Sequence, residues 1–220
     1  MDICIGNTNT SQNSQQRNSH RVFHRRDSLF SVGDDFEGIY VLRSGSAKSF
    51  ITSREGGEHI TKFYYPGDML GVDGFDGHQH SQTVCFLETS SVCLIKESQI
   101  NNLINTSTVF RDGLLQSMSR TLACDSAMMM CLSTCSSEQK VTRFLLDLSI
   151  GFAERGLSGS EFMLSMTRTD IANYLGMAIE TVSRIFASLQ QRNIIAVQLR
   201  YLCILNFMEL KRSVAIDICS

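Results

Sequence analysis

The chain has 220 residues, enough for one large or two small domains, and its 43% hydrophobic content suits a folded globular protein with a real core. No apolar run approaches the ~18 residues of a membrane span. The N-terminus, MDICIGNTNTSQNSQQRNSH, lacks the basic-then-apolar order of a secretory signal, so a cytoplasmic protein with no membrane partner is expected. A net charge of −2 does not advertise a nucleic-acid binder; any such role must rest on local charge.

Residues 1–20, rich in Ser, Asn and Gln, read as a disordered tail. Residues 21–106 show short alternating runs broken by Gly, Asp and Ser. GIYVLRSGSAKSFI alternates around Ser44-Gly45, ITSREGGEHITKF alternates around Gly56-Gly57, and Tyr65-Pro66-Gly67-Asp68 is a further turn. Many short strands with frequent glycines predict an antiparallel sandwich or jelly roll. His78 and His80, on a loop of this region, read as exposed polar residues rather than a haem pair.

Residues 107–136 change period. Leu115, Met118, Leu122, Asp125, Met129 and Leu132 are spaced 3, 4, 3, 4 and 3 apart, an a/d seam that lets two such helices pair as a coiled coil. The other reading is a helix packed on its own β domain, a packing that Leu114, Met128 and Met130 would serve. Asp125 is the one charge in the seam. Facing its copy in a parallel dimer it would repel, so either the apolar seam residues outweigh it or the aspartate rotates to the edge of the seam.

Residues 137–220 form the third region. A helix over 138–155 carries Val141, Phe144, Leu145 and Leu148, then leads through Gly156 and Gly159 into residues 166–206. There Thr167 is a good N-cap with Asp170 as capping-box partner, followed by Ile171, Ala172 and Leu175 at helical spacing. Gly176 stops that helix. A second begins near Ile179, with Val182, Ile185, Phe186 and Leu189 on one face and Glu180, Ser183 and Arg184 on the other. Residues 194–197 and 201–205 read as a hairpin wing. A polar triplet on a helix after a tight turn suits a DNA major groove: Arg can bond guanine O6 and N7, Glu can accept from cytosine N4, and Ser is adaptable. An ordinary helix pair with one solvated face would share the spacing. The local charge, Arg168, Arg184, Arg192 and Arg200 against Asp170 and Glu180, is mildly positive, so two subunits on a palindrome would be needed to build phosphate attraction.

Eight cysteines stand at 4, 85, 93, 124, 131, 135, 203 and 219, without a C-x-x-C pair. They are expected to be mostly small buried hydrophobes. Cys124, Cys131 and Cys135 share one stripe of the long helix, which reads as core packing beside the seam in preference to a soft-metal site or a thiol pair. No Ser/His/Asp order, metal-ligand spacing or phosphate-cradling Gly loop points to an enzyme.

TRTDIANYLGMAIETVSRIFASLQ resembles the winged helix of the CRP/FNR transcription factors, and its E-T-V-S-R wording resembles the FNR branch. FSVGDDFEGIYVLRSGSAKSF, GGEHITKFYYPGDMLGVDGFDGHQHS and FLETSSVCLI resemble that branch's sensory β-roll, so the likeness runs over about residues 21–207. It implies an α+β chain: a cyclic-nucleotide-binding-like β-roll, a long dimerisation helix and a C-terminal winged helix-turn-helix. It also implies a homodimer on double-stranded DNA at an inverted repeat of TTGAT-like half-sites. Glu180 and Arg184 would read a G·C pair and Ser183 a neighbouring base, while Thr167 and Arg168 grip phosphate. RNA polymerase is a further candidate partner through residues 54–58, although Gly57 stands where the family commonly has an acid. In relatives with an oxygen switch, an acid on the long helix holds the protein monomeric until an iron–sulfur cluster forms.

Three departures bear on the signal. Cys93 matches the roll cysteine of the cluster-bearing proteins, but only Cys4 precedes Cys85, so four-Cys ligation by that route is not available. No Arg follows GDMLGVDGFDGHQHSQTV to hold a cyclic nucleotide phosphate. Gln198-Leu199-Arg200 replaces a Gly-containing basic wing turn. No cofactor is therefore expected. The other class of function open to such a chain is a ligand-binding β-roll whose winged helix contacts protein rather than DNA.

Overall fold

The computed structural model describes residues 20–213. They fall into two compact units, the first ending at Ala123 and the second beginning at Cys124. The boundary lies inside the long helix, which contributes to both.

The first unit is an antiparallel β-roll of two four-stranded sheets. One holds β1 (His20–Phe23), β8 (Ser90–Lys96), β3 (Gly38–Ser44) and β6 (Met69–Leu70). The other holds β2 (Ser28–Phe30), β7 (Thr83–Phe86), β4 (Ala47–Thr52) and β5 (Glu58–Tyr64). Alternation in β3 explains the layering. Tyr40 and Leu42 join Phe30, Tyr64, Val84 and Phe86 between the sheets, while Ile39 and Val41 face the opposite way, onto Phe36, Ile100, Phe110 and Leu114. β3 is therefore covered on both faces.

The three turns expected from sequence are present, with one difference in what they connect. Gly56-Gly57 closes the β4–β5 hairpin, with Ser53 N donating to Gly57 O at 2.8 Å. Tyr65–Asp68 is a turn in which Asp68 Oδ2 accepts from Tyr65 N at 2.8 Å. Ser44-Gly45 is not a hairpin: β3 and β4 belong to different sheets, and the turn carries the chain across the sandwich. Gly45 has φ +82°, and a Cβ there would lie 2.2 Å from Ser90 Oγ.

A short helix not foreseen from sequence, α1 (Glu97–Thr106), buries Ile100 against the roll. Then α2 (Thr108–Thr134) runs for 27 residues, about 40 Å at helical rise. In the second unit, α3 (Ser137–Glu154) starts at a Ser136/Gln139 capping box and buries Val141, Phe144, Leu145 and Leu148. α4 (Arg168–Tyr174) and α5 (Ile179–Gln191) follow, then the hairpin β10 (Ile195–Gln198) and β11 (Tyr201–Ile204), and α6 (Phe207–Arg212). The wing has a third strand that sequence did not show, β9 (Glu161–Met163), paired with β11.

Candidate nucleic-acid interface

The interface begins at the cap of α4. Thr167 Oγ1 accepts from Asp170 N at 3.1 Å, and Asp170 Oδ2 accepts from Thr167 N at 2.9 Å and from the Thr167 hydroxyl at 2.6 Å. The hydroxyl hydrogen of Thr167 is thus used within the cap. α4 ends at Gly176, whose φ of +62° is the left-handed stop read from sequence. The nearest atom to an added Cβ there is Leu132 Cδ2 at 4.0 Å, so Gly176 is required by its backbone and not by lack of space.

The turn delivers α5 with two distinct faces. Val182, Ile185, Phe186 and Leu189 are buried. Glu180, Ser183 and Arg184 are exposed, and none of them hydrogen-bonds or ion-pairs within the described residues. Spacing of three and four residues places them on one strip of the helix surface. Both charges are free to meet a ligand.

Arg168 is held more firmly than sequence suggested. Its guanidinium lies 3.4 Å from the centroid of the Phe186 ring, a cation–π contact that ties the start of α4 to α5. Partial burial lowers its pKa to about 10, which leaves it charged at neutral pH. Two of the other arginines are engaged by groups of the protein itself. Arg192 pairs with Glu138 on α3, and Arg200 Nη1 reaches Ser165 O at 3.5 Å. The basic count expected for phosphate is reduced accordingly. The wing is fixed to α5 by Gln190 Oε1, which accepts from Val197 N at 3.1 Å. Sequence could have shown neither long-range pair.

Along α2, Leu115, Met118, Leu122 and Met129 are exposed in the single chain, at 59%, 43%, 69% and 73%. Asp125 is also exposed. Leu132 is half-buried, against the Gly176 turn. Phe110 and Leu114 are the α2 residues that pack on the roll. Met128 is half-buried and Met130 is exposed.

The thiols correct the expectation of general burial. Among the described residues Cys93 and Cys131 are buried, Cys85, Cys135 and Cys203 are half-buried, and Cys124 is exposed. Burial, with the Cys135 thiol beside it, raises Cys131 to about 11. Cys93 has no exposed surface and sits in register between His20 and Val41 at the centre of its sheet. No three His, Cys, Asp or Glu side chains converge as a metal site among the described residues. Cys4 lies outside them.

The loop after β6 also differs from expectation. His78 is exposed and pairs with Glu97 at 3.1 Å, but His80 is buried, not on an exposed loop. Its ring stacks on Phe30 with centroids 3.5 Å apart, and Phe36 meets it edge-on. Its Nδ1 makes no hydrogen bond and lies 3.5 Å from Asp73 Oδ1. Aromatic cover was invisible in sequence because Phe30 and Phe36 lie some 50 and 44 positions away. The loop contains Asp73 and Asp76 and no Lys or Arg, a poor setting for a nucleotide phosphate.

The Crp-like helix-turn-helix domain pattern matches residues 139–213, and the cyclic nucleotide-binding domain pattern matches residues 20–107. The chain is 39% identical over 182 residues to the fumarate and nitrate reduction regulatory protein of Vibrio cholerae, covering 83% of this chain and 73% of that protein. It is 38% identical over 190 residues to the transcriptional activator protein Anr of Pseudomonas protegens, covering 86% and 78%. The fold is similar to that of FixK2 from Bradyrhizobium japonicum, with TM-score 0.81 and 23% identity over 90% of this chain and 98% of that one. With its roll, long helix and helix-turn-helix, the chain belongs to the CRP/FNR family of DNA-binding transcription regulators.

Proposed function

We propose that the chain acts as a homodimer on an inverted repeat of TTGAT-like half-sites, each winged helix reading one of them. The observation that carries this reading is the outer strip of α5. Glu180, Ser183 and Arg184 stand exposed and unpartnered on a helix whose opposite face is buried. Arg184 donates to guanine O6 and N7, Glu180 accepts from the cytosine N4 of the same pair, and Ser183 meets a neighbouring base. Arg168, stacked on Phe186, supplies a phosphate contact, and Thr167 fixes the α4 backbone beside it.

The exposed apolar residues of α2 support pairing of two chains along that helix, with Leu115, Met118, Leu122 and Met129 in the seam and Leu132 at its end. The dimer forms without an iron–sulfur cluster or a cyclic nucleotide, in keeping with the buried Cys93 and the cation-free loop around His80. The protein acts in the cytoplasm and has no catalytic activity. RNA polymerase is a candidate second partner through the exposed tip of the β4–β5 hairpin at residues 54–58, although Gly57 there lacks the acid that the family commonly carries.

Fluorescence anisotropy on labelled duplexes tests the reading. A TTGAT palindrome should bind two protomers, and a scrambled duplex of equal length should bind at least a thousandfold more weakly, the low end of the roughly 10³–10⁷ range of specificity ratios. Equal affinity for both duplexes would favour the protein-contact role instead.

A further inference from the structure

The tip of the wing breaks two rules at one residue. β10 and β11 pair through Gln198 and Tyr201, so Leu199 and Arg200 alone form the turn. Leu199 has φ +57°, in the left-handed region that a two-residue hairpin usually fills with Gly or Asn. A bulky side chain there is strained. It is also 97% exposed, the most exposed of the large hydrophobic residues described. Neither cost is offset within the unit.

The rest of the turn is firmly placed. Arg200 O accepts from Leu164 N at 2.8 Å, and its guanidinium turns back to Ser165 O, just before the α4 cap. Gln190, at the far end of α5, holds Val197 of β10. The hairpin is therefore tied to α5 and to the segment that leads into α4. Its cation is folded inward and its apolar side chain points out. This tip is not built for a phosphate.

We propose that Leu199 is a minor-groove contact that selects A·T pairs in the DNA flanking each half-site. The inference rests on the proposal that α5 occupies the major groove, since the next groove along the duplex is then a minor one. There an A·T pair offers the adenine C2–H and deoxyribose faces, against which an isobutyl group can pack. A G·C pair adds the guanine N2 amino group, which would fill that space, and its groove-facing hydrogen, the one not bonded to cytosine O2, would lie buried against leucine with no acceptor. The contact carries no charge, so it adds preference without adding salt dependence.

Inosine makes the test specific, because an I·C pair has the major-groove atoms of G·C at N7 and O6 but lacks the N2 amine. The full-length protein is titrated onto TTGAT palindromes whose three outer flanking pairs are A·T, G·C or I·C. The expected result is binding of the A·T and I·C duplexes about fivefold or more tighter than the G·C duplex. Leu199→Gly should abolish that difference while keeping the preference for the palindrome over scrambled DNA. Leu199→Met should retain it. Leu199→Gly should melt no lower than wild type, since Gly relieves the strained φ, which separates loss of contact from loss of fold. Equal binding of all three duplexes, or I·C behaving like G·C, would overturn the assignment, as would a preference that survives Leu199→Gly. Failure to prefer the palindrome at all would instead overturn the reading of α5.

Discussion

Asp125 should restrain dimerisation, and removing its charge should tighten the dimer. It is exposed on α2 between Leu122 and Met129, themselves 69% and 73% exposed in the single chain. In a parallel pair the two carboxylates would face each other across the seam. Two unit charges about 6 Å apart repel by about 1–3 kcal/mol for effective dielectric constants between about 60 and 20. At about 1.4 kcal/mol per decade, Asp125→Ala and the isosteric Asp125→Asn should lower the dimer dissociation constant by about five- to a hundredfold. The gain should shrink as salt rises from about 0.01 to 0.5 M, because the Debye length falls from about 30 Å to about 4 Å, below the separation of the two charges. Leu122→Ala should act oppositely. It removes apolar surface from both copies, about 2 kcal/mol in each, and should weaken the dimer more than tenfold. Sedimentation velocity over a dilution series measures all of these constants. If Asp125→Ala and Asp125→Asn leave the constant unchanged or raise it, Asp125 does not lie in the interface and the seam is misplaced.

Thr167→Ala should cost about 1 kcal/mol of stability through loss of the reciprocal cap, read as a lower melting temperature of the second unit. Arg168→Ala should weaken specific and random DNA alike and reduce the dependence of affinity on salt, seen by repeating the anisotropy titration at several salt concentrations. The Arg21 guanidinium bonded to Glu37 holds that carboxyl below its ordinary value of 4.5. Its folded pKa is depressed, so the pair's stabilisation is present above that ordinary value and is lost as pH falls through the folded pKa. Glu37→Gln should therefore flatten the acid side of a pH–melting profile, modestly because both side chains are partly exposed.

The most readable parts of the chain were those set by local chemistry. The Thr167/Asp170 cap, the Gly176 stop and the two faces of α5 each depend on residues within four positions of one another, and all stand where the sequence puts them. The turns of the roll were equally plain, because Gly and Asp mark them directly. Their connections were not. Ser44-Gly45 is legible as a turn, but that it switches sheets is not, since strand partners are chosen by packing across the sandwich. β9 is only three residues long and leaves no periodic signal, whereas α1 does carry one, with Ile100, Leu103 and Ile104 at helical spacing against the roll, that is easily read as one more alternating run of the β region. The burial of His80 and the pairing of Arg192 are hidden from the sequence for one reason. Their surroundings, Phe30 and Phe36 for one and Glu138 for the other, come from distant segments.

DNA reading through the Glu180–Arg184 strip of α5 can be measured one base pair at a time. Wild type and Arg184→Ala are titrated by anisotropy onto a TTGAT palindrome, onto the same palindrome with its G·C pairs replaced by A·T, and onto random DNA. Wild type should prefer the intact palindrome, and Arg184→Ala should lose about 1–3 kcal/mol on it, relaxing the preference at the G·C position. Affinity for random DNA should fall far less, because that binding rests on phosphate contacts. An equal loss of affinity on all three duplexes would contradict the account, reducing Arg184 to a phosphate contact and leaving base reading to some other surface.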